Sequence, residues 1–392
     1  MSDVILTLNA GSSSLKAALY ALEGGEAGAR LAHFHLSGIG SAARLSVRSG
    51  GYDEDAQVDA ASTDAAWPLL LEAIARVMDG RQLRAVGHRV VHGGPDYAAP
   101  VAMTPQIREK LEGLTPLAPL HEPYNLAGID YASERWPGAA QIACFDTAFH
   151  RQQPARAQRF ALPYRYFDAG ILRYGFHGLS YEYIAGQLDH VFDGRPASRV
   201  IIAHLGSGVS MCALKDGISV ATTMGFTALA GLPMSTRCGD IDPGVLLYLQ
   251  EVEGMPAGEL ADLLHEESGL KGLSGLSGDM RQLEASADPR ADEAIEYFVY
   301  RCQREIGSLI AALGGLDAIV FTAGIGEHSP TIRARIADGL GWLDAELDAA
   351  RNISGGPEIS AAGSGVSLWT IPTDEEAMLA KHAARQLHAL KA

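Results

Sequence analysis

Two stretches of this chain, far apart in sequence, share one pattern. Residues 4–8 and 15–20 are short apolar runs around Asn9-Ala-Gly-Ser-Ser-Ser14, and residues 200–203 and 209–214 are two more around His204-Leu-Gly-Ser-Gly208. An apolar run, a tight turn of small residues and a returning apolar run make a β-hairpin. Further strand-like and helical segments follow each hairpin, so the chain carries one α/β architecture twice. At 392 residues it is also too long for one simple core, which fits two domains.

The rest of the pattern agrees. Residues 64–78 place Trp67, Leu70, Leu71, Ile74 and Val77 at helical spacing. Residues 85–91 and 141–145 read as strands, and 124–135 as a helix. Thr104-Pro105 opens another helix, with Thr as N-cap and Pro at the first position. Residues 40–63 read as strands and loops. Later come a long amphipathic helix over 291–313, a buried strand over 318–322, a helix opened by Ser329-Pro330, a strand near 368–371 and a last helix from about Asp374. Strands interleaved with helices in both halves predict two α/β domains with a cleft between them.

A net charge of −16 repels a phosphate backbone and argues against a nucleic-acid partner. Any site for an anion must then be built locally from Arg, Lys, backbone N–H groups and metal. Cys144, Cys212, Cys238 and Cys302 show no paired spacing, which excludes a disulfide framework and the usual zinc patterns and fits a reducing compartment. The chain enters its first strand at once, so no signal peptide is expected. Residues 217–236 carry no charge, but their Thr, Ser, Gly and Pro content reads as a loop and a buried strand rather than a membrane span. A soluble, cytoplasmic protein is expected.

Five constellations carry possible chemistry. Asn9-Ala-Gly-Ser-Ser-Ser-Leu-Lys16 exposes backbone N–H groups, hydroxyls and a lysine that together can grip phosphate. It is not a Walker A loop, and alone it serves equally well as a plain hairpin. The turn at 204–208 is its counterpart in the second half. Gly324-Ile-Gly-Glu-His328 follows a buried strand and reads as a glycine-rich strand-to-helix turn that lets a nucleotide approach the backbone. It lacks the dinucleotide fingerprint, so NAD is not expected.

The fourth is a set of charged and imidazole residues in Gly-rich turns or at strand ends. It comprises Gly87-His-Arg89-Val-Val-His-Gly-Gly94, Phe145-Asp146-Thr147, Phe176-His177-Gly178 and Thr236-Arg237-Cys-Gly-Asp240. Phosphoryl transfer needs cations around the equatorial oxygens, and two arginines with a histidine meet that need. Taken singly, each reads better as a structural salt bridge or a satisfied histidine, but four such clusters in one chain weigh against that reading for all of them together. His88, His92, His121 and His150 receive no role, and Asp240 and Asp242 are read as capping the turn into Pro243. The fifth is Pro372-Thr-Asp-Glu-Glu376, whose acidic residues complement a helix dipole.

In this order the motifs resemble the acetate kinase family, within the acetate and sugar kinase/Hsp70/actin superfamily. They are NAGSSSLK at 9–16, GHRVVHGG at 87–94, FDTAFH at 145–150, RYGFHGLSYEYI at 173–184, HLGSG at 204–208, TRCGDIDPG at 236–244, FTAGIGEH at 321–328 and PTDEE at 372–376. Eight ordered motifs over nearly the whole chain make the likeness specific.

The resemblance implies two actin-like (ribonuclease H-like) domains with a nucleotide cleft between them, one over residues 1–150 plus about 377–392 and one over 151–376. It implies reversible phosphoryl transfer from ATP to acetate, giving acetyl phosphate and ADP, with Mg²⁺ (or Mn²⁺ in its place), and a homodimer. Asn9 and Glu375 look like the metal-site residues, and Ser12, Ser14 and Lys16 like the phosphate path. Arg89 and Arg237 look like the acyl- and phosphoryl-binding pair, His177 like the contact to the group in flight, and Asp146 like the catalytic carboxylate. ATP is expected against His204, Leu205, Gly206, Ser207 and Gly208, against Asp279, Met280 and Arg281, and against Gly324, Ile325, Gly326, Glu327 and His328.

The acyl pocket would read Val91, Leu120, Phe176 and Ala228. Three are apolar as expected, but Ala228 replaces a more usual proline, and Ser207 and His328 stand where many relatives have Asn. The smaller Ala228 keeps propionate as an alternative acceptor, since one methylene is worth only about 1–3 kcal/mol of discrimination. An actin-like ATPase or sensor without an acyl substrate is the alternative of another class. It has no use for a cation beside a small apolar pocket.

Overall fold

Both hairpins form. In the computed structural model, which describes residues 2–192, 194 and 197–390, β1 (Asp3–Ala10) and β2 (Ser14–Glu23) pair antiparallel, with Asn9 opposite Lys16. The Gly11 N–H donates to the Ser14 carbonyl at 2.9 Å and closes the turn. The chain divides into two units. One comprises Met1–Arg151, Gly178–Tyr183 and Asp374–Ala392 as far as these are described, and the other Gln152–His177 and Ile184–Thr373. Of the residues expected in the two domains, Met1, Asp193, Arg195, Pro196, Lys391 and Ala392 lie outside the described ones.

The first unit continues with β3 (Glu26–Ser37), β4 (Arg44–Ser49), β5 (Tyr52–Gln57), β6 (Gln82–Val90), β7 (Val101–Ala102) and β8 (Ala140–Phe145). They form one sheet in the order β5-β4-β3-β2-β1-β6-β8-β7. From β5 to β1 neighbours run antiparallel, whereas β1, β6 and β8 run parallel, so the carboxyl ends of these three open on the same edge. That edge is where open α/β sheets bind ligands.

Helices cover both faces. Helix Thr63–Met78, N-capped by the Ser62 side chain, buries Trp67, Leu70 and Ile74 against Leu6, Leu8, Phe34 and Val47. Helix Glu375–Ala389, N-capped by Asp374, packs Met378, Leu379, Ala380 and Ala383 against Ile5, Ala18, Ile142 and Cys144. Gly87 lets this helix lie close, because a Cβ there would stand 2.8 Å from the Leu379 carbonyl oxygen. Each large apolar side chain buried here contributes about 1.5–3 kcal/mol.

The second unit repeats the scheme with β9 (Arg199–Leu205), β10 (Val209–Lys215), β11 (Ile218–Thr222), β12 (Ala318–Thr322) and β13 (Ser367–Thr370), in the order β11-β10-β9-β12-β13. Again three strands pair antiparallel and β9, β12 and β13 run parallel. The doubled pattern read in the sequence is therefore a doubled topology. Helix Pro289–Leu313, opened by Asp288 and closed by Gly314 at φ 73°, packs on this sheet. The uncharged stretch 217–236 is β11 followed by irregular chain. Among the described residues no helix is long and apolar enough to cross a membrane.

Candidate active site

In the first unit the expected residues meet at the shared carboxyl ends of β1, β6 and β8. Asn9 stands near the end of β1, Arg89 near the end of β6 and Asp146 just past β8. Arg89 Nε donates to Asp146 Oδ1 at 3.1 Å and Nη2 to Oδ2 at 2.6 Å, while Nη1 donates to Asn9 Oδ1 at 3.2 Å. Glu375 Oε2, in the first turn of the C-terminal helix, lies 3.9 Å from Arg89 Nε. Burial alone would weaken the hold of the guanidinium on its proton. The carboxylates of Asp146 and Glu375 outweigh that and keep it firmly charged.

Ser12 and Lys16 are exposed and Ser14 half-buried on the β1–β2 hairpin. Val91 is buried, but Leu120 is exposed at 37%.

A second group forms in the other unit. His177 has a left-handed backbone, φ 58°, which is strained for a residue with a Cβ. Its Nδ1 lies 2.8 Å from Ser210 Oγ, and its ring stacks on His204 with centroids 4.1 Å apart. Gly208 leaves room for that ring, since a Cβ there would meet His177 Nε2 at 3.1 Å. Arg237 Nη1 donates to the Ala228 carbonyl at 3.1 Å, and Phe176 is buried.

The three segments expected at the nucleotide come together around a cleft of about 580 Å³, lined by Gly206 and Ser207, by Asp279, Met280 and Arg281, and by Gly324, Ile325 and His328. Ser235, Thr236, Gly278, Glu284 and Ser329 line it too, none of them expected at the nucleotide from the sequence. Asp279 caps helix Met280–Glu284, and its hydrogen bonds from Arg281 hold its carboxyl below the usual range.

Not every expected nucleotide contact faces the cleft. The stretch 324–328 is not an open turn but helix Ala323–His328, entered directly from β12 with Ala323 at φ 64°. Glu327 is a strut within it: Oε1 accepts from the N–H groups of Ala323 at 2.8 Å and Thr373 at 3.2 Å. The Gly326 carbonyl accepts from Arg333 Nη1 at 2.9 Å. Leu205 is buried at the end of β9 and His204 lies against His177. Buried Arg333 was missed. Only its contacts, including Nε to Asn352 Oδ1 at 2.7 Å, reveal it as the brace beneath this helix.

Asn9 and Glu375 offer an amide oxygen and a carboxylate, hard donors of the kind Mg²⁺ takes alongside substrate phosphates. Among the described residues no cluster of three or more His, Cys, Asp or Glu forms a metal cage. Such a cage is not how Mg²⁺ is usually held in phosphoryl transfer, so the donor set fits.

The acetokinase family profile matches residues 4–381. The chain belongs to the acetokinase family. It is therefore an enzyme, a kinase whose acceptor is a carboxyl group. It is 51% identical to an acetate kinase of Methylocella silvestris over 97% of each chain. Among solved structures it is similar to a propionate kinase of Francisella tularensis (TM-score 0.91, 33% identity, 98% of this chain and 99% of that one). It is likewise similar to the acetate kinase of Porphyromonas gingivalis (TM-score 0.85, 35% identity, 98% and 100%). The fold class of the acetokinase family, two actin-like α/β domains, follows for this chain.

Proposed function

We propose that the protein transfers the γ-phosphoryl group of Mg-ATP to acetate, giving acetyl phosphate and ADP, and also runs the reverse reaction. The observation that carries this reading is the charged Arg89, held by Asp146 and Asn9 at the ligand-binding edge of a sheet. Acetate rather than propionate is the acceptor, because the relatives near half identity are acetate kinases.

A carboxylate is already an anion and needs no base to attack phosphorus. Catalysis then rests on bringing two anions together and spreading the charge that builds on the equatorial oxygens. Arg89 and Arg237 receive the acyl and phosphoryl oxygens, and His177, fixed by Ser210 and the His204 stack, donates to the group in transfer. Asp146 organises Arg89 rather than removing a proton. Ser12, Ser14 and Lys16 line the phosphate path. The cleft beside Met280 and Ile325 offers apolar surface for a purine base, with Ser207 and His328 on its wall. Asn9 and Glu375 would hold Mg²⁺, which when bound neutralises phosphate charge.

The reading includes a homodimer and a cytoplasmic setting. Helix Pro243–Glu251 buries none of its residues and exposes Leu247 at 55% and Tyr248 at 53%, a face suited to a second copy. Among the described residues Cys144, Cys212, Cys238 and Cys302 form no disulfide, as expected in a reducing compartment. The test is ³¹P NMR of the enzyme with ATP and acetate, with and without Mg²⁺. Acetyl phosphate and ADP should appear only with the metal, and their absence in both samples contradicts the proposal.

A further inference from the structure

The turn after β6 is held by side chains. The Val91 N–H donates to Asn125 Oδ1 at 2.9 Å, the His92 N–H to Glu122 Oε2 at 3.3 Å and the Gly93 N–H to Thr147 Oγ1 at 3.1 Å. Three successive amides, starting two residues after Arg89, are thus fixed by helix Glu122–Arg135 and by the neighbour of Asp146. Asn125 Nδ2 in turn donates to the Ala10 carbonyl at 2.8 Å, so the same scaffold reaches the end of β1.

Two of the three acceptors are neutral groups. The third, Glu122, is a carboxyl with 0% exposure whose Oε1 meets no hydrogen-bond partner. A buried carboxyl with one oxygen idle is tolerable as an acid and costly as an anion.

We propose that Glu122 is a positioning residue of the acyl half-site, holding the 91–93 turn through an uncharged carboxyl whose ionisation weakens the site's grip on its anionic acceptor. The inference rests on the acetate kinase reading above. Burial pushes Glu122 up to about 8. The His92 N–H, from the turn after β6, works against that rise. Asp146, from the segment after β8, adds to it, and Arg108, from helix Pro105–Glu112, opposes it. Arg108 is itself engaged by Asp130 at 2.9 Å and Glu112 at 3.3 Å. An anion at Glu122 would put a second negative charge behind the Arg89–Asp146 pair, opposing the carboxylate that Arg89 is there to bind. Acetate stays ionised from pH 7 to 9, so the change belongs to the protein.

The test measures KM for acetate at saturating Mg-ATP, at closely spaced pH values from 7 to 9, in the full-length wild type and in E122Q. The wild-type KM should rise roughly fivefold with a midpoint near 8, while kcat and the KM for ATP change less than twofold. In E122Q the ratio of KM at pH 9 to KM at pH 7 should stay below two. A flat wild-type KM, or an equal rise in E122Q, overturns the inference. Should E122Q fail to fold, the wild-type midpoint decides: near 8 supports it, and a rise elsewhere or none overturns it. Acetyl phosphate absent at every pH overturns the acetate kinase reading instead.

Discussion

Asp146 holds Arg89 through two parallel hydrogen bonds, 3.1 Å from Nε and 2.6 Å from Nη2. The fork geometry sets the plane of the guanidinium and leaves Nη1 to Asn9. The carboxylate is almost wholly buried, with its side chain 1% exposed.

Removing one partner of such a pair leaves a buried charge alone. Asp146→Ala should therefore destabilise the protein by about 3 kcal/mol and lower kcat/KM at least a hundredfold. The double variant R89A/D146A should recover part of the stability and none of the activity. Urea denaturation and steady-state kinetics on the three variants check this. Additive stability losses would show that the pair does not act as a unit.

Gly208 is tied to His177 by space alone, since its backbone is not left-handed. Gly208→Ala should push the imidazole away by a few tenths of an ångström and lower kcat roughly tenfold. Thermal stability should change little. A large fall in Tm with kcat intact would place the glycine's role in folding rather than in the site.

Glu122 also makes stability depend on pH. Its folded-state value, about 8, lies above the 4.5 of a free glutamate. Below pH 4.5 the carboxyl is protonated whether folded or unfolded and costs nothing. Between pH 4.5 and 8 the unfolded chain ionises first, so the stability difference is lost progressively as pH rises through this window. E122Q should therefore gain on wild type across it, by roughly 4 kcal/mol in full. Urea denaturation at pH 5 and pH 8.5 measures the gain, and a difference that does not grow contradicts the assignment.

Much of this was legible in the sequence, for local reasons. The β1–β2 and β9–β10 hairpins follow from small-residue turns between apolar runs, and the helix at Pro105 from the Thr104 cap. The convergence of Arg89, Asp146 and Glu375 was not readable from spacing. It depends on the parallel register of β6 and β8 and on where the last helix docks, and it entered through family motifs. Glu327 and Arg333 show the limit. A glutamate in a glycine-rich motif reads as a ligand contact, yet its carboxylate ties Ala323 to Thr373, far along the chain. Burial of Arg333 and of Glu122 is likewise set by packing between distant segments, which leaves no local pattern.

The most direct test of the central claim is kcat/KM for acyl-phosphate formation from Mg-ATP with acetate, propionate and butyrate, measured side by side. The expected result is acetate first and propionate lower by roughly tenfold, the worth of about one methylene. Propionate first would contradict the acceptor assignment, and no acyl phosphate from any of the three would contradict the proposed reaction itself.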